Sequence, residues 1–278
     1  MKSDDFGDRM KFYEMMEARR VLLPTLPILV RIDGRCFSSF TAGLPRPYYE
    51  NLSFLMQETT KYLVSNVGAR VGYTQSDEIS LLLYQEEFAD EIFFGGRVQK
   101  LVSVIASMAT NFFVRNGPDR LASEKERLQN RWDKVMFDCR VWSLPSQEEA
   151  VNAILWREKD ATKNSISMAA RAYYSHAALE GKKASEMQEM LHLVGVNWNN
   201  YPDFFKRGTY IQRRCRERKF TIAEIEKLPP MHEARRDPNL VVRRTDIVNI
   251  AMPPLSKVVN RVEVLFNGAD PLTTSSNG

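Results

Sequence analysis

The sequence predicts an α+β fold of the ferredoxin-like split type, βαββαβ, over residues 1–145. Three observations predict it. Apolar stretches read, in order, as strand, helix, strand, strand, helix, strand. The polar connection Thr74-Gln75-Ser76-Asp77-Glu78 is short enough to join the middle two strands as a hairpin. After Pro145 the pattern changes and helical spacing dominates.

Each element has its own signal. Asp5 to Arg20 carries Met10, Tyr13 and Met16 at helical spacing, and Pro24 and Pro27 end it. Ile28 to Ile32 is a short strand stopped by Asp33-Gly34. Pro45 and Pro47 mark a loop, and Leu52, Leu55, Met56, Tyr62 and Leu63 then place a helix over Tyr48–Asn66. Arg70–Tyr73 and Ile79–Tyr84 are the hairpin strands. A long helix over Asp90–Val114 shows Phe94, Leu101, Ile105, Met108 and Phe112, and Gly117-Pro118 breaks it. Val135–Leu144 is the fourth strand. Ser146 with Glu149 three residues later has capping-box spacing and opens a helical stretch running, with breaks, to Tyr174. Another helix follows around Ala184–Leu193, then loop and strand at Asn197–Tyr201 and Gly208–Arg213. Trp132, Trp142, Trp156 and Trp198 read as core. The division is a catalytic unit over 1–145, a helical and mixed extension over 146–267 packed with it, and a small, polar, disordered tail over 268–278.

Composition narrows the class. The chain has 278 residues, 44% apolar and 27% charged, with a net charge of +4. That suits a globular protein and permits, without requiring, a nucleic-acid partner. Cys36, Cys139 and Cys215 form no C-x-x-C pair, and His176, His192 and His232 are scattered, so a divalent metal must be held by oxygen. No stretch is apolar enough to span a membrane, and the charged start lacks signal-peptide character, which predicts a cytoplasmic protein without a membrane partner.

The acids point to chemistry. In the split topology the first strand runs beside the third, so Asp33 and the hairpin carrying Asp77 meet at one sheet edge. Mg²⁺ is bound through one or two carboxylates plus substrate phosphates, and two such ions can activate an attacking oxygen and stabilise a leaving one. Gly34 lets the backbone approach, and its carbonyl is a further potential ligand. Asp is equally a turn residue, so both readings stand at this point. Arg97 and Lys100 share a helix face at i, i+3, Arg140 lies on the fourth strand, and a triphosphate needs such cations.

At these residues the chain resembles the histidine-tRNA guanylyltransferases and their like proteins. The resemblance is carried by Arg31-Ile32-Asp33-Gly34-Arg35-Cys36-Phe37, Tyr73 to Glu78, Arg97 to Lys100, Phe137 to Val141, Trp156-Arg157 with Asp160, and Asn197 to Asn200 with Arg207-Gly208-Thr209. It implies a polymerase-type palm that extends RNA 3′ to 5′, usually as a homotetramer. It implies that Asp33, the Gly34 carbonyl and Asp77 bind two Mg²⁺ ions. It implies that Asp33, Gly34, Arg35, Cys36, Phe37, Ser38, Ser76 and Asp77 bind the nucleotide (GTP, ATP or another triphosphate), and that Arg97, Lys100 and Arg140 contact the triphosphate. Where the histidine-tRNA branch has His-Ile-Asn-Asn, this chain has Thr162-Lys163-Asn164-Ser165, and Ser38 replaces that branch's histidine. The pattern is closer to the like proteins that repair truncated tRNA 5′ ends on the opposite strand as template.

For tRNA, Lys163, Asn164, Arg213 and Arg214 are the candidate contacts. The basic runs at 213–219, 235–236 and 243–244 either track phosphates or form a solvated face. Competing classes are addition of guanosine to histidine tRNA alone, a palm-type nucleotide cyclase, and a non-catalytic tRNA-binding protein. The basic runs argue against the cyclase. The retained acids argue against the binding protein.

Overall fold

A computed structural model of the chain describes residues 5–88, 91–237 and 239–274. Helix α1 (Asp5–Ala18) precedes strand β1 (Ile28–Arg35), the one-turn helix α2 (Phe37–Phe40) and helix α3 (Glu50–Val67). The hairpin β2 (Val71–Gln75) and β3 (Glu78–Leu83) leads to α4 (Val98–Arg120), α5 (Lys125–Leu128) and β4 (Met136–Ser143). Helices α6 (Gln147–Arg171), α7 (His176–Leu179), α8 (Ala184–Leu193) and α9 (Asp203–Arg207) follow. The chain ends with β5 (Thr209–Lys219), α10 (Ile222–Lys227), β6 (Val241–Ile250) and α11 (Arg261–Asn267).

The strands form one antiparallel sheet in the order β4-β1-β3-β2-β5-β6. Its first four strands are the expected split βαββαβ arrangement. Strands β5 and β6 lengthen it at the β2 edge. β2 pairs with β5 only from Thr209 to Gln212, so the rest of β5 leaves the sheet with β6 as a two-stranded ribbon. The sequence pattern predicts this strand only as far as Arg213 and predicts none at β6.

Strand periodicity sorts the two faces. Ile28, Val30 and Ile32 of β1 join Ile79 and Leu81 of β3 beneath α3 and α4. Leu29 joins Tyr73, Leu82, Ile154 and Leu265 on the opposite face, under α6 and α11. By the same alternation Arg31 and Asp33 belong to the α6 face. The functional edge therefore lies opposite the two crossover helices.

Several boundaries moved for identifiable reasons. β1 continues through Asp33-Gly34 because both residues pair with β4. α4 starts later than expected, since the chain turns through left-handed conformations at Phe94, Gly95 and Gly96; Asp90 lies outside the described residues. Gly117-Pro118 does not break α4, which runs on to Arg120; the proline sits in its last turns and gives up one donation to the carbonyl four residues back. Gly117 serves packing: a Cβ there would meet the Trp132 ring at 2.2 Å. α6 is unbroken, capped by Ser146, whose hydroxyl accepts from Glu149 N at 3.2 Å. Trp156 is 55% exposed, not core. Residues 268–274 correct the expectation of a disordered tail. Val259 N donates to Leu272 O at 2.8 Å, and Asn260 is hydrogen-bonded to Asp270 and Leu272. Residues 275–278 lie outside the described residues. Among the described residues no helix is long and apolar enough to cross a membrane.

Candidate active site

Asp33 faces Glu78 of β3 on one side and Asp138 of β4 on the other in cross-strand register. Ser76-Asp77 is the two-residue turn between Gln75 and Glu78. Gly34 N–H donates to the Asp77 carbonyl at 3.1 Å, which ties the two acid-bearing segments together. Burial pushes the Asp77 carboxyl above its ordinary pKa. Its own backbone N–H and the Ser76 hydroxyl oppose that rise, and the charges of Asp33 and Glu78 add to it.

Among the described residues neither Asp33 nor Asp77 lies in an ion pair, whereas the neighbouring acids do. Asp138 sits 3.7 Å from Arg140, and Glu78 is gripped by Arg157. No three His, Cys, Asp or Glu side chains among the described residues converge on a metal-sized site. Two neighbouring acids, both half-buried and neither neutralised, fit a hard divalent cation whose other ligands are backbone carbonyl, water and phosphate oxygen. A site built wholly of side chains does not fit.

The backbone around the acids is unusual. Among the described residues Cys36 (φ 56°), Ser76 (φ 49°) and Phe94 (φ 52°) are the non-glycine residues with left-handed φ. Two of them flank Asp33 and Asp77, and such conformations concentrate at functional sites. Gly34 is required by a close approach, since a Cβ there would lie 2.3 Å from the Phe37 ring. Phe37 itself is buried against Phe40, Phe113 and Phe137. Its ring is therefore a support for the loop, and it also borders the adjoining cavity. Arg35 and Cys36 are exposed.

Ser38, Ser76 and Asp77 line a cavity of about 320 Å³ walled by Tyr48, Phe204 and Phe205. A second cavity of about 320 Å³ continues from it past Ser38, Ser76 and Tyr48 to Arg46, Met168 and Arg171. Tyr48 packs on Phe205 at 4.9 Å and on Phe204 at 5.3 Å. Sequence reading missed this aromatic wall, because its members come from a proline-rich loop and from α9, 156 positions apart from Tyr48 to Phe204.

The cations divide. Arg140 stands opposite Arg31, one cross-strand row from the Asp138–Asp33–Glu78 row and on the same face, roughly 7 Å along the strand. Arg31 Nε and the hydroxyl of Ser80, its other cross-strand neighbour, are buried without a partner. Arg97 and Lys100 are not brought to this edge. α4 runs antiparallel to β3, so its first turn lies at the far end of the sheet. From Arg97 to Phe113, which packs on Phe37, is roughly 24 Å of helix. Arg97 there bridges to Val21, and Lys100 borders α1 with Glu14 and Arg19.

The expected tRNA contacts also divide. Lys163 and Asn164 are exposed on α6. Arg213 is occupied: its guanidinium donates to the carbonyls of Val64, Ser65 and Ala69 at 2.6, 3.0 and 3.0 Å, closing the C-terminal end of α3. Arg214 donates to Gln212 and pairs with Asp270 at 2.6 Å. Both guanidinium groups thus have partners within the chain.

A model of the tRNAHis guanylyltransferase (Thg1) family matches residues 7–145. A bacterial tRNA(His) guanylyltransferase-like protein solved with ATP is 38% identical, with a TM-score of 0.68 over 75% of this chain and 88% of its own. Another, solved with GTP, is 33% identical, with a TM-score of 0.65 over 91% of this chain and 95% of its own. The tRNA(His) guanylyltransferase of Saccharomyces cerevisiae is 26% identical over 77% of this chain and 92% of its own length.

Proposed function

Because the chain belongs to the tRNAHis guanylyltransferase family and is thus a nucleotidyltransferase with a polymerase-type palm, we propose that it adds nucleotides 3′ to 5′ at the 5′ end of tRNA, choosing each by pairing with the opposite strand. The observation that carries this reading is the meeting of Asp33 and Asp77, unpaired, beside an aromatic-walled cavity.

Growth toward the 5′ side fixes the chemistry. The 3′-hydroxyl of the incoming nucleotide attacks the α-phosphorus of a tRNA 5′-triphosphate end; the new P–O bond forms as the α–β P–O bond breaks, and pyrophosphate leaves. Asp33, Asp77 and the Gly34 carbonyl would hold two Mg²⁺ ions, which make the hydroxyl a better nucleophile and balance the leaving charge. Ser38 and Ser76 would orient the nucleotide, with its base against the aromatic wall. Arg140 and Arg31 supply positive charge one row away for the phosphates. The unpartnered Arg31 Nε and Ser80 Oγ support that assignment, since buried polar groups ordinarily find a partner.

The templated reading rests on what lines the pocket. Tyr48, Phe204 and Phe205 offer stacking, which accepts any base. Thr162 and Lys163 replace the histidine and isoleucine of the histidine-tRNA branch, and a lysine reads backbone charge rather than sequence. An assembly of several copies is supported by α1, which has no buried residue yet carries exposed Phe6, Phe12, Tyr13 and Met16. The test is a set of 5′-truncated tRNAs differing only at the templating position, each given the four nucleotides separately. Addition should switch with the opposing base. Guanosine addition to histidine tRNA alone, whatever stands opposite, would overturn the templated reading in favour of the narrower one.

A further inference from the structure

The hairpin carries two adjacent acids, Asp77 and Glu78, and the structure treats them differently. Both oxygens of Glu78 are taken by Arg157 of α6: Nε donates to Oε1 at 2.7 Å and Nη2 to Oε2 at 2.6 Å. Both side chains are only 9% exposed. Glu78 therefore has little capacity left for a cation, although it lies beside Asp33 in register and is bonded to Asp77.

The grip is braced from several sides. Asp160 sits 3.3 Å from Arg157, and the guanidinium lies over the Trp156 ring at 4.6 Å. Thr74 Oγ1 donates to the Glu78 carbonyl at 3.0 Å, fixing its backbone as well. α6 is itself locked to the sheet, because buried Glu158 accepts from Tyr210 Oη at 2.7 Å and from Leu255 N at 2.9 Å. A fork–fork pair fixes direction as well as distance. Holding Glu78 at both oxygens holds the peptide that joins it to Asp77, at the end of a two-residue turn containing a left-handed serine.

We propose that Arg157 is a positioning residue: by gripping Glu78 it sets the Asp77 carboxylate against Asp33 at the spacing a divalent cation requires. This rests on the reading of Asp33 and Asp77 as cation ligands. Residues that orient a ligand through a second contact typically change metal affinity ~10–100-fold when altered. Lysine at 157 keeps the charge and loses the fork.

The test uses the full-length chain without nucleotide or tRNA. Mn²⁺ binding is followed by the loss of the free-ion EPR signal, with thermal melting of every variant alongside. Asp77→Ala first establishes the site: if it leaves Mn²⁺ binding unchanged, the ligand assignment itself fails. With that control positive, Arg157→Lys should weaken Mn²⁺ binding ~10-fold or more. It should raise the half-saturating Mg²⁺ for nucleotide addition and leave the nucleotide KM at saturating Mg²⁺ unchanged. The paired variant Glu78→Gln/Arg157→Met, which removes both charges, should behave the same way. Wild-type Mn²⁺ affinity in either folded variant overturns the proposal while leaving Asp77 as a ligand. Failure of both variants to fold also overturns it, since the pair would then serve the fold.

Discussion

Replacing Gly34 by alanine drives a methyl group into the ring of Phe37. An ideal Cβ would lie 2.3 Å from Cδ2 and 2.8 Å from Cγ and Cε2, whereas carbon atoms settle at about 3.5–4.0 Å. The ring must therefore move by roughly 1 Å or more. It has nowhere easy to go: Phe40, Phe113 and Phe137 stand at 5.3, 5.4 and 5.3 Å between centroids. Overpacking of this kind costs about 1–3 kcal/mol, which for a chain near this size lowers Tm by roughly 2–12 °C. Because Gly34 follows Asp33 and donates to the Asp77 carbonyl, the shift should also reduce nucleotide addition. Thermal unfolding and an addition assay on the same preparations check both. Adding Phe37→Leu should return part of the lost stability, because the clash goes with the ring. A Gly34→Ala protein with wild-type Tm and wild-type rate would refute the close-approach argument.

Arg213→Ala should lower stability by about 1.5–3 kcal/mol, since three carbonyls at the end of α3 lose their donor. Its tRNA affinity at a temperature well below Tm should stay close to wild type, as read by filter binding. Arg140→Ala should raise the concentration of nucleotide or activated tRNA needed for half-maximal rate, and Arg97→Ala should not do so within one chain's own site. Mixing each variant with Asp77→Ala chains in a complementation assay separates cis from trans effects. Burial, with Asp138's charge next, pushes the Cys139 thiol up to about 12. It should stay protonated and resist alkylation at pH 8 while exposed Cys36 and Cys215 react, which mass spectrometry of the native protein will show.

The local parts of this fold were legible in the sequence, and the distant ones were not. Strand and helix periodicity placed β1 to β4 and the helices between them, and the split order followed from that succession alone. The same order brings Asp33 and Asp77 to one edge. Helical spacing gives Arg97 and Lys100 a shared face but says nothing of helix direction, and their end of α4 is the far one. Arg213 and Arg214 read as free charge because a guanidinium engaged with carbonyls 149 residues away looks identical in sequence to a solvated one. Glu78 and Arg157 are 79 residues apart, and no periodicity announces such a pair. β6 carries charge on both faces at Arg243, Arg244 and Asp246 and sends only Ile247 and Ile250 against the core clusters, so it lacks the one-sided apolar alternation by which strands are recognised.

The most direct measurement of the central claim follows α-labelled nucleotide into a tRNA lacking its first nucleotide and bearing an activated 5′ end, with Mg²⁺, using wild type, Asp33→Ala and Asp77→Ala. The wild type should place label at the 5′ end alone, and both variants should place none while melting near the wild-type temperature. Label retained by either folded variant at saturating Mg²⁺, or found at the 3′ end, would contradict the account.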